Sequence, residues 1–270
     1  MKWYNKEIMK NEKFFNFPIN LIDGFLDDST KCLNNIFSYS IYKHILTYEE
    51  KEGFEWIDYE DEEKAVEIAE SFFGVNKSDK KTTFINGEKL YNNIGLNCPF
   101  TRINVNVLKD FHNDPKTEFE KVVLLAHLAL LSTNKEKPYS KVDKNFIYSR
   151  MNGFSKSLAR EYVDEKLIFP DPRIKEQLHP KLQKYFTKRY WDKIKEELSE
   201  RWYWFIPTEL PVYDKDGNMT VKKIRRINYF TQLPQEKFYS VIIKEEEKKK
   251  EKKNTDVLRS IIENYNKNNK

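Results

Sequence analysis

The longest apolar run in the chain, Phe119–Leu131 (FEKVVLLAHLALL), constrains the fold more than any other stretch. Its apolar side chains cover nearly the whole circumference of a helix, so we expect this helix to be buried on most sides. Asp114 is a candidate N-cap with Pro115 at the first helical position, and Ser132–Asn134 mark the end. The run is too short, and too closely flanked by charge, to span a bilayer, which takes about 20 apolar residues. The sequence therefore predicts a central core helix.

Charge and cysteine usage narrow the class of protein. The 270 residues carry a net charge of +5, which permits nucleic-acid contact without requiring it. Cys32 and Cys98 are the two cysteines, so we expect no disulfide framework and a reducing, cytoplasmic compartment. The N-terminal residues lack the apolar stretch and cleavage site of a signal peptide. The Lys-, Asn- and Ile-rich usage suggests an AT-rich coding sequence, and hence a bacterial cell or one of its mobile elements.

Helical periodicity predicts further helices around this core. They cover 31–48, Glu62–Phe73 ending at Gly74, 141–151 ending at Gly153, and 155–167. Residues 103–107 alternate like a short strand, while Val107, Leu108 and Phe111 equally fit the start of a helix. The predicted fold class is mainly α (α+β), a multi-helix protein with a winged-helix-like half carrying one β-hairpin.

The segment 65–94 resembles a helix-turn-helix, a motif that lays its second helix in a DNA major groove. It reads as a helix, a tight turn after Gly74 and a second helix. The segment departs from the pattern at Glu70, where a small residue is usual, and at Gly87, which is expected to interrupt the second helix. An ordinary αα-hairpin is the alternative interpretation, and the favoured one.

The second half of the chain carries basic residues on two consecutive predicted elements. A helix over 181–200 places apolar residues on its inner side, and its other side shows Lys188, Arg189, Lys193 and Lys195. The Asp216-Gly217 pair predicts the turn of a β-hairpin over 202–230. The return strand of that hairpin carries Lys222, Lys223, Arg225 and Arg226.

Together with the core helix (116–132) and a short helix (142–152), this order of elements resembles a winged helix. In that family the third helix enters the major groove and the hairpin wing contacts the backbone or the minor groove. The resemblance implies that Lys188, Arg189, Lys193 and Lys195 face nucleic acid from the helix, and that Lys222, Lys223, Arg225 and Arg226 contact phosphates from the wing. Residues 153–180 depart from the pattern by inserting an extra helix and a proline turn. The alternative is a solvated helix face and a basic strand that protects a sheet edge.

These patterns predict three regions. Residues 1–113 form an N-terminal helical region that includes the helix-turn-helix-like segment, 114–243 a winged-helix-like domain, and 244–270 a charged helical tail. In the tail, residues 244–253 (KEEEKKKEKK) are expected to form a solvated helix supported by i,i+4 ion pairs. The apolar residues after it dock either within the chain or onto a partner helix.

Signatures of catalysis are absent from the sequence. It contains neither GxxxxGK[ST] nor GxGxxG, and no histidine is paired with Cys or His at the spacing of a metal site. His127 is interpreted as a core imidazole. We therefore expect no enzyme, no cofactor, no metal and no membrane partner. The leading hypothesis is a nucleic-acid-binding protein of a phage or mobile element, of the replication or regulation type, that binds DNA or RNA.

Two alternatives come from other classes of protein. One is a phage-type anti-defence protein, similar in general style to anti-CRISPR proteins. Such a protein would bind host nucleic-acid-handling machinery, either an RNA-guided nuclease or its guide RNA. The other alternative is a structural or assembly component, which the terminal helix would favour if it self-associates.

Overall fold

The computed structural model describes residues 13–52, 62–76, 79–94, 98–134, 138–141, 143–154, 172–205, 209–214, 216–223 and 229–268. The helices are α1 (Ser29–Glu52), α2 (Glu62–Phe73), α3 (Lys80–Asn92), α4 (Val105–Asn113), α5 (Glu118–Asn134), α6 (Lys144–Met151), α7 (Pro172–Glu176), α8 (Pro180–Gln183), α9 (Lys188–Glu197) and α10 (Gln235–Asn268). The strands are β1 (Phe14–Pro18), β2 (Phe100–Asn104), β3 (Tyr139–Lys141), β4 (Tyr203–Phe205), β5 (Glu209–Tyr213), β6 (Met219–Lys223) and β7 (Tyr229–Thr231). The predicted mainly α, α+β fold class is confirmed. The predicted helix over 155–167 lies outside the described residues.

The chain divides into two compact units. Unit 1 comprises Met1–Glu136 and Asp143–Arg201, and unit 2 comprises Lys137–Val142 and Trp202–Lys270. The region 114–243, predicted as one winged-helix-like domain, contributes to both. Its helices α5, α6 and α9 belong to unit 1, and its hairpin strands β5 and β6 belong to unit 2.

Helix α5 is the core helix of unit 1, as predicted. Every residue from Val122 to Leu130 is buried. Its start differs from the prediction because Thr117 and Glu120 form a reciprocal capping box. The Thr117 N–H donates to Glu120 Oε2 at 2.9 Å, and the Glu120 N–H donates to Thr117 Oγ1 at 3.3 Å. Asp114 instead ends α4, and Pro115 lies in the connection between the two helices.

Strands β1 and β2 pair antiparallel, with Phe15 opposite Ile103. Phe15 is fully buried, and its ring meets the ring of Phe37 on α1 edge-on at 5.8 Å. The ambiguous stretch after residue 100 is a strand followed directly by a helix. Asn104 makes this switch possible because its Oδ1 accepts the N–H groups of the first turn of α4 and so caps that helix.

Helices α2 and α3 form the predicted helical pair, and α3 packs on α1. Gly74 ends α2 with a φ of 63°, which confirms the predicted left-handed cap. Gly87, in contrast, does not interrupt α3, so that prediction is wrong. A Cβ added at Gly87 would lie 2.4 Å from the carbonyl oxygen of Ser38 and 2.7 Å from the Cβ of Tyr42. The missing side chain therefore permits the close approach of α3 to α1.

The single helix predicted over 181–200 is two helices, α8 and α9, and this is a correction. Thr187 adopts an extended backbone and its Oγ1 accepts the N–H of Tyr190 at 3.2 Å, which starts a new helix. The inner face was predicted correctly, since Leu182, Phe186, Ile194 and Leu198 are all buried. Trp191 is also buried, and its ring packs 5.8 Å from the ring of Tyr148.

Unit 2 contains a three-stranded antiparallel sheet in the order β3-β7-β4, and the β5–β6 hairpin. The predicted turn is confirmed, with Gly217 at a φ of 90°. Asp214 holds the turn because its carboxylate accepts the N–H groups of Asp216 and Asn218 at 2.9 and 2.8 Å. A small core of Tyr139, Tyr229, Phe238 and Ile242 joins this sheet to the start of α10. The long α10 confirms that residues 244–253 are helical.

Candidate nucleic-acid interface

The first turn of α9 presents cations beside free backbone donors. Lys188 and Arg189 occupy its first two positions, and both side chains are exposed. Thr187 accepts the N–H of Tyr190 with its hydroxyl and the N–H of Trp191, at 3.0 Å, with its carbonyl. The N–H groups of Lys188 and Arg189 have no hydrogen-bond partner among the described residues. This turn therefore offers two backbone donors and two cationic side chains together.

The four predicted cations of α9 are not equivalent. Lys188, Arg189 and Lys193 are exposed, and none forms an ion pair with a carboxylate in the part of the chain that the structure describes. Lys193 Nζ lies 5.8 Å from the centroid of the Tyr190 ring. Lys195 is half-buried, and its Nζ lies 2.8 Å from Asp192 Oδ1. Lys188, Arg189 and Lys193 are therefore available to bind an anion. Lys195 is a weaker candidate for phosphate contact because it is already paired with Asp192.

Most charges at the two ends of α9 run opposite to the order that stabilises a helix, with Lys195 in the last turn as the exception. Lys188 and Arg189 lie at the N-terminus, where the helix dipole is positive, and Glu196 and Glu197 lie in the last turn, where it is negative. Each such charge costs roughly 0.3–1 kcal/mol when exposed at low ionic strength. Helix stability therefore does not explain the two cations in the first turn.

Lys144 is a cation of unit 1 that the sequence did not single out. Its half-buried ammonium lies 4.5 Å from the ring centroid of Phe186 and 5.2 Å from that of Tyr148. Burial lowers the pKa of Lys144 to about 7, and the nearby carboxylate of Asp192 opposes that shift. Tyr148 follows Lys144 by four residues on α6, but Phe186 lies 42 residues away, so no short-range pattern predicts the full environment.

Replacing Lys144 with methionine is expected to stabilise the protein more at pH 6 than at pH 9. The folded pKa lies below the ordinary lysine value, so between about pH 7 and pH 10 the unfolded chain binds the proton more tightly. Wild-type stability therefore rises with pH through this window, and the variant lacks that rise. Urea unfolding at both pH values measures the difference, with the exposed Lys81→Met as control. Equal effects at both pH values would contradict the prediction.

The basic residues predicted on the hairpin lie in unit 2. Lys222 and Lys223 belong to β6, where they pair in register with Leu210 and Glu209 of β5. Arg225 and Arg226 lie outside the described residues. That these residues act together with α9 stays a prediction.

Within the described residues, no group of three or more His, Cys, Asp or Glu side chains is placed to hold a metal ion. None of the helices that the structure describes has the length and apolar character needed to cross a membrane.

Comparison with protein-family models, with curated proteins and with solved structures found no match to this chain. The fold defines a mainly helical α+β protein, and a fold class alone does not determine a function. Any assignment of function therefore depends on the chemistry of the site.

Proposed function

We propose that this chain is a non-enzymatic nucleic-acid-binding protein of a phage or mobile element, and that the first turn of α9 contacts phosphate. The observation that supports this proposal is the exposed Lys188-Arg189 pair, whose two backbone N–H groups have no hydrogen-bond partner in the part of the chain that the structure describes. Helix N-termini favour phosphate because their N–H groups and the helix dipole both favour negative charge. The planar guanidinium of Arg189 adds the capacity for paired hydrogen bonds to phosphate oxygens.

The proposal gives the remaining basic residues supporting roles. Lys193 follows one turn later on α9, and the half-buried Tyr190 beside it offers a ring edge or face. The hairpin residues Lys222, Lys223, Arg225 and Arg226 supply further phosphate contacts from unit 2, as the winged-helix resemblance implies. Phosphate contacts position a protein without reading sequence, so this interface accounts for affinity and not for sequence preference.

The triple variant Lys188→Gln, Arg189→Gln, Lys193→Gln is expected to bind nucleic acid with a shallower salt dependence than the wild type. Each lost phosphate contact lowers the slope of log K against log salt by about 0.9 on duplex DNA, so the full loss is about 2.7. Fluorescence anisotropy on duplex DNA and on structured RNA, at about 50 and 200 mM salt, measures both slopes. The quadruple hairpin variant, with Lys222, Lys223, Arg225 and Arg226 changed to Ala, tests the wing in the same assay.

A matched control carries the same change in charge elsewhere in unit 1. Lys64, Lys81 and Lys89 are exposed on α2 and α3, and changing all three to Gln leaves α9 untouched. Two of them lie on the second helix of the helix-turn-helix-like segment, so this control also tests the competing motif. A slope reduced in the control and not in the α9 variant would contradict the proposal. Thermal unfolding should show no loss of stability in the α9 variant, because its N-terminal cations oppose the dipole.

A further inference from the structure

A cavity of about 420 Å³ lies in unit 1 between β1, α1 and α2. This volume is in the range of small-molecule sites, roughly 300–1,000 Å³. The elements that form it differ from those of the α9 surface. The cavity is therefore a second candidate site, and its chemistry is independent of the proposed function.

One side of the cavity is a polar stripe along α1. Ser40, Lys43, His44 and Thr47 line it, and their spacing of three and four residues places them on one face of the helix. A helix with a well-buried face usually presents apolar side chains at this spacing. Ser40 is 4% exposed, and its hydroxyl has no hydrogen-bond partner among the described residues. An unsatisfied buried hydroxyl costs about 1–3 kcal/mol, so the stripe is poorly suited to packing alone.

The opposite walls are aromatic. Phe14 of β1 and Phe72 and Phe73 of α2 line the cavity. The imidazole of His44 stacks on the Phe72 ring with centroids 4.3 Å apart and planes at 20°. Burial and then the charge of Lys13 lower the pKa of His44, so this imidazole is neutral at pH 7. Phe72 is 46% exposed, so part of its side chain is accessible to a ligand.

The charge of the lining is positive. Lys13 and Lys43 both line the cavity, and no carboxylate lies among the described residues that do. Lys13 Nζ donates to the carbonyl oxygen of Phe72 and lies 4.2 Å from the centroid of that ring. Lys43 Nζ lies 4.4 Å from the ring centroid of Phe100, and burial lowers the pKa of Lys43. Arg102 adds a third cation close by, 5.0 Å from the Phe14 ring.

We propose that this cavity binds a nucleoside phosphate, with the phosphate on Lys43 and Lys13 and the base against Phe72. The two ammonium groups lack a carboxylate counter-charge among the described residues, and a phosphate supplies one. His44 already stacks on one face of the Phe72 ring, so the base takes the other face, because every base has a π-face that stacks on aromatic side chains. The Lys13 ammonium, 4.2 Å from the centroid of that ring in the structure, moves from the ring to the phosphate when the base binds. The Ser40 hydroxyl provides a hydrogen bond to a ligand oxygen. The source of the ligand is either a free mononucleotide or the phosphorylated end of a strand.

Isothermal titration of the full chain with 5′-AMP, adenosine and inorganic phosphate tests the proposal. We expect saturable binding of AMP with a Kd below about 1 mM. Adenosine and inorganic phosphate should bind more weakly, because adenosine lacks the phosphate and inorganic phosphate lacks the base. Oligonucleotides with a 5′-phosphate or a 5′-hydroxyl distinguish the two sources. If the 5′-phosphorylated strand binds more tightly than AMP, the natural ligand is the end of a strand. If AMP binds more tightly than that strand, the natural ligand is a mononucleotide.

Two variants place the binding in this cavity. Lys43→Met removes the charge and is expected to weaken AMP binding about tenfold or more. Phe72→Ala removes the stacking ring and is expected to weaken it by about tenfold. Lys64→Met and Ile68→Ala are matched controls, since both residues are exposed on α2 and neither lines the cavity. Thermal unfolding of all four variants verifies that the fold is retained.

The results separate this proposal from the proposed function. The α9 triple variant should bind AMP as the wild type does, whatever its affinity for duplex DNA or RNA. The cavity proposal is overturned if neither AMP nor the 5′-phosphorylated strand binds. It is overturned equally if AMP binds no better than adenosine and phosphate, or if Lys43→Met and Phe72→Ala leave its affinity unchanged.

Discussion

Replacing Gly87 with alanine is expected to lower the free energy of unfolding by about 1–3 kcal/mol. The added methyl group would lie 2.4 Å from the Ser38 carbonyl oxygen and 2.7 Å from the Cβ of Tyr42. Both neighbours are part of α1, and neither is the flexible end of a side chain. The helices must therefore move apart, which weakens the packing between α1 and α3.

The informative result is whether alanine at position 87 raises or lowers the free energy of unfolding. In an exposed helix, alanine stabilises by about 1 kcal/mol relative to glycine. Urea unfolding followed by circular dichroism measures the change, and Glu88→Ala, at the exposed neighbouring position, is the control. A stabilised Gly87→Ala variant would contradict the close approach of α1 and α3.

Wild-type stability is expected to fall by about 2 kcal/mol more than that of a His127→Gln variant between pH 6.5 and pH 4.5. His127 is 4% exposed on α5. Burial, followed by the charges of Arg201 and Arg102, lowers the pKa of His127 to about 3. Between pH 6.5 and pH 3, His127 is largely protonated in the unfolded chain and largely neutral in the folded chain. The folded state therefore loses stability as the pH falls through this window.

The glutamine variant keeps a polar side chain and removes the titration. Its overall stability is expected to be lower at pH 7, because the amide does not reproduce the imidazole in a packed core. Its dependence on pH should nevertheless be shallower, by an amount that approaches about 1.4 kcal/mol per pH unit well below pH 6.5. Urea unfolding at a series of pH values gives both quantities, and His112→Gln, at an exposed position, is the control. Parallel curves for wild type and His127→Gln would show that His127 is not buried in the core of unit 1.

Local patterns predicted most of the elements because their causes are local. The all-round apolar surface of 119–131 predicted the core helix, and Gly74 and Asp216-Gly217 predicted a helix end and a turn through their backbone preferences. The break at Thr187 was missed because apolar periodicity continues across it from Leu182 to Leu198. A single capping threonine outweighs that periodicity by satisfying the N–H of Tyr190.

The candidate sites depend on contacts that no window of sequence contains. The exposed cations of α9 were predicted from sequence, and the ion pair between Lys195 and Asp192 is a local contact, since the two residues are three positions apart on the same helix. The other contacts are not local. The stacking of His44 of α1 on Phe72 of α2 is a tertiary contact. The same holds for Gly87, whose role depends on how closely α1 approaches. The sequence thus identified candidate residues by their type and position, but it did not identify the residues that they contact from other elements.

Lysine acetylation footprinting of the wild type, with and without saturating duplex DNA or structured RNA at low salt, tests the central claim most directly. If α9 contacts phosphate, Lys188 and Lys193 become protected from the reagent on binding, while the exposed Lys64 and Lys81 react unchanged. Binding that leaves Lys188 and Lys193 as reactive as in the free protein, or the absence of binding to either polymer, would contradict the account.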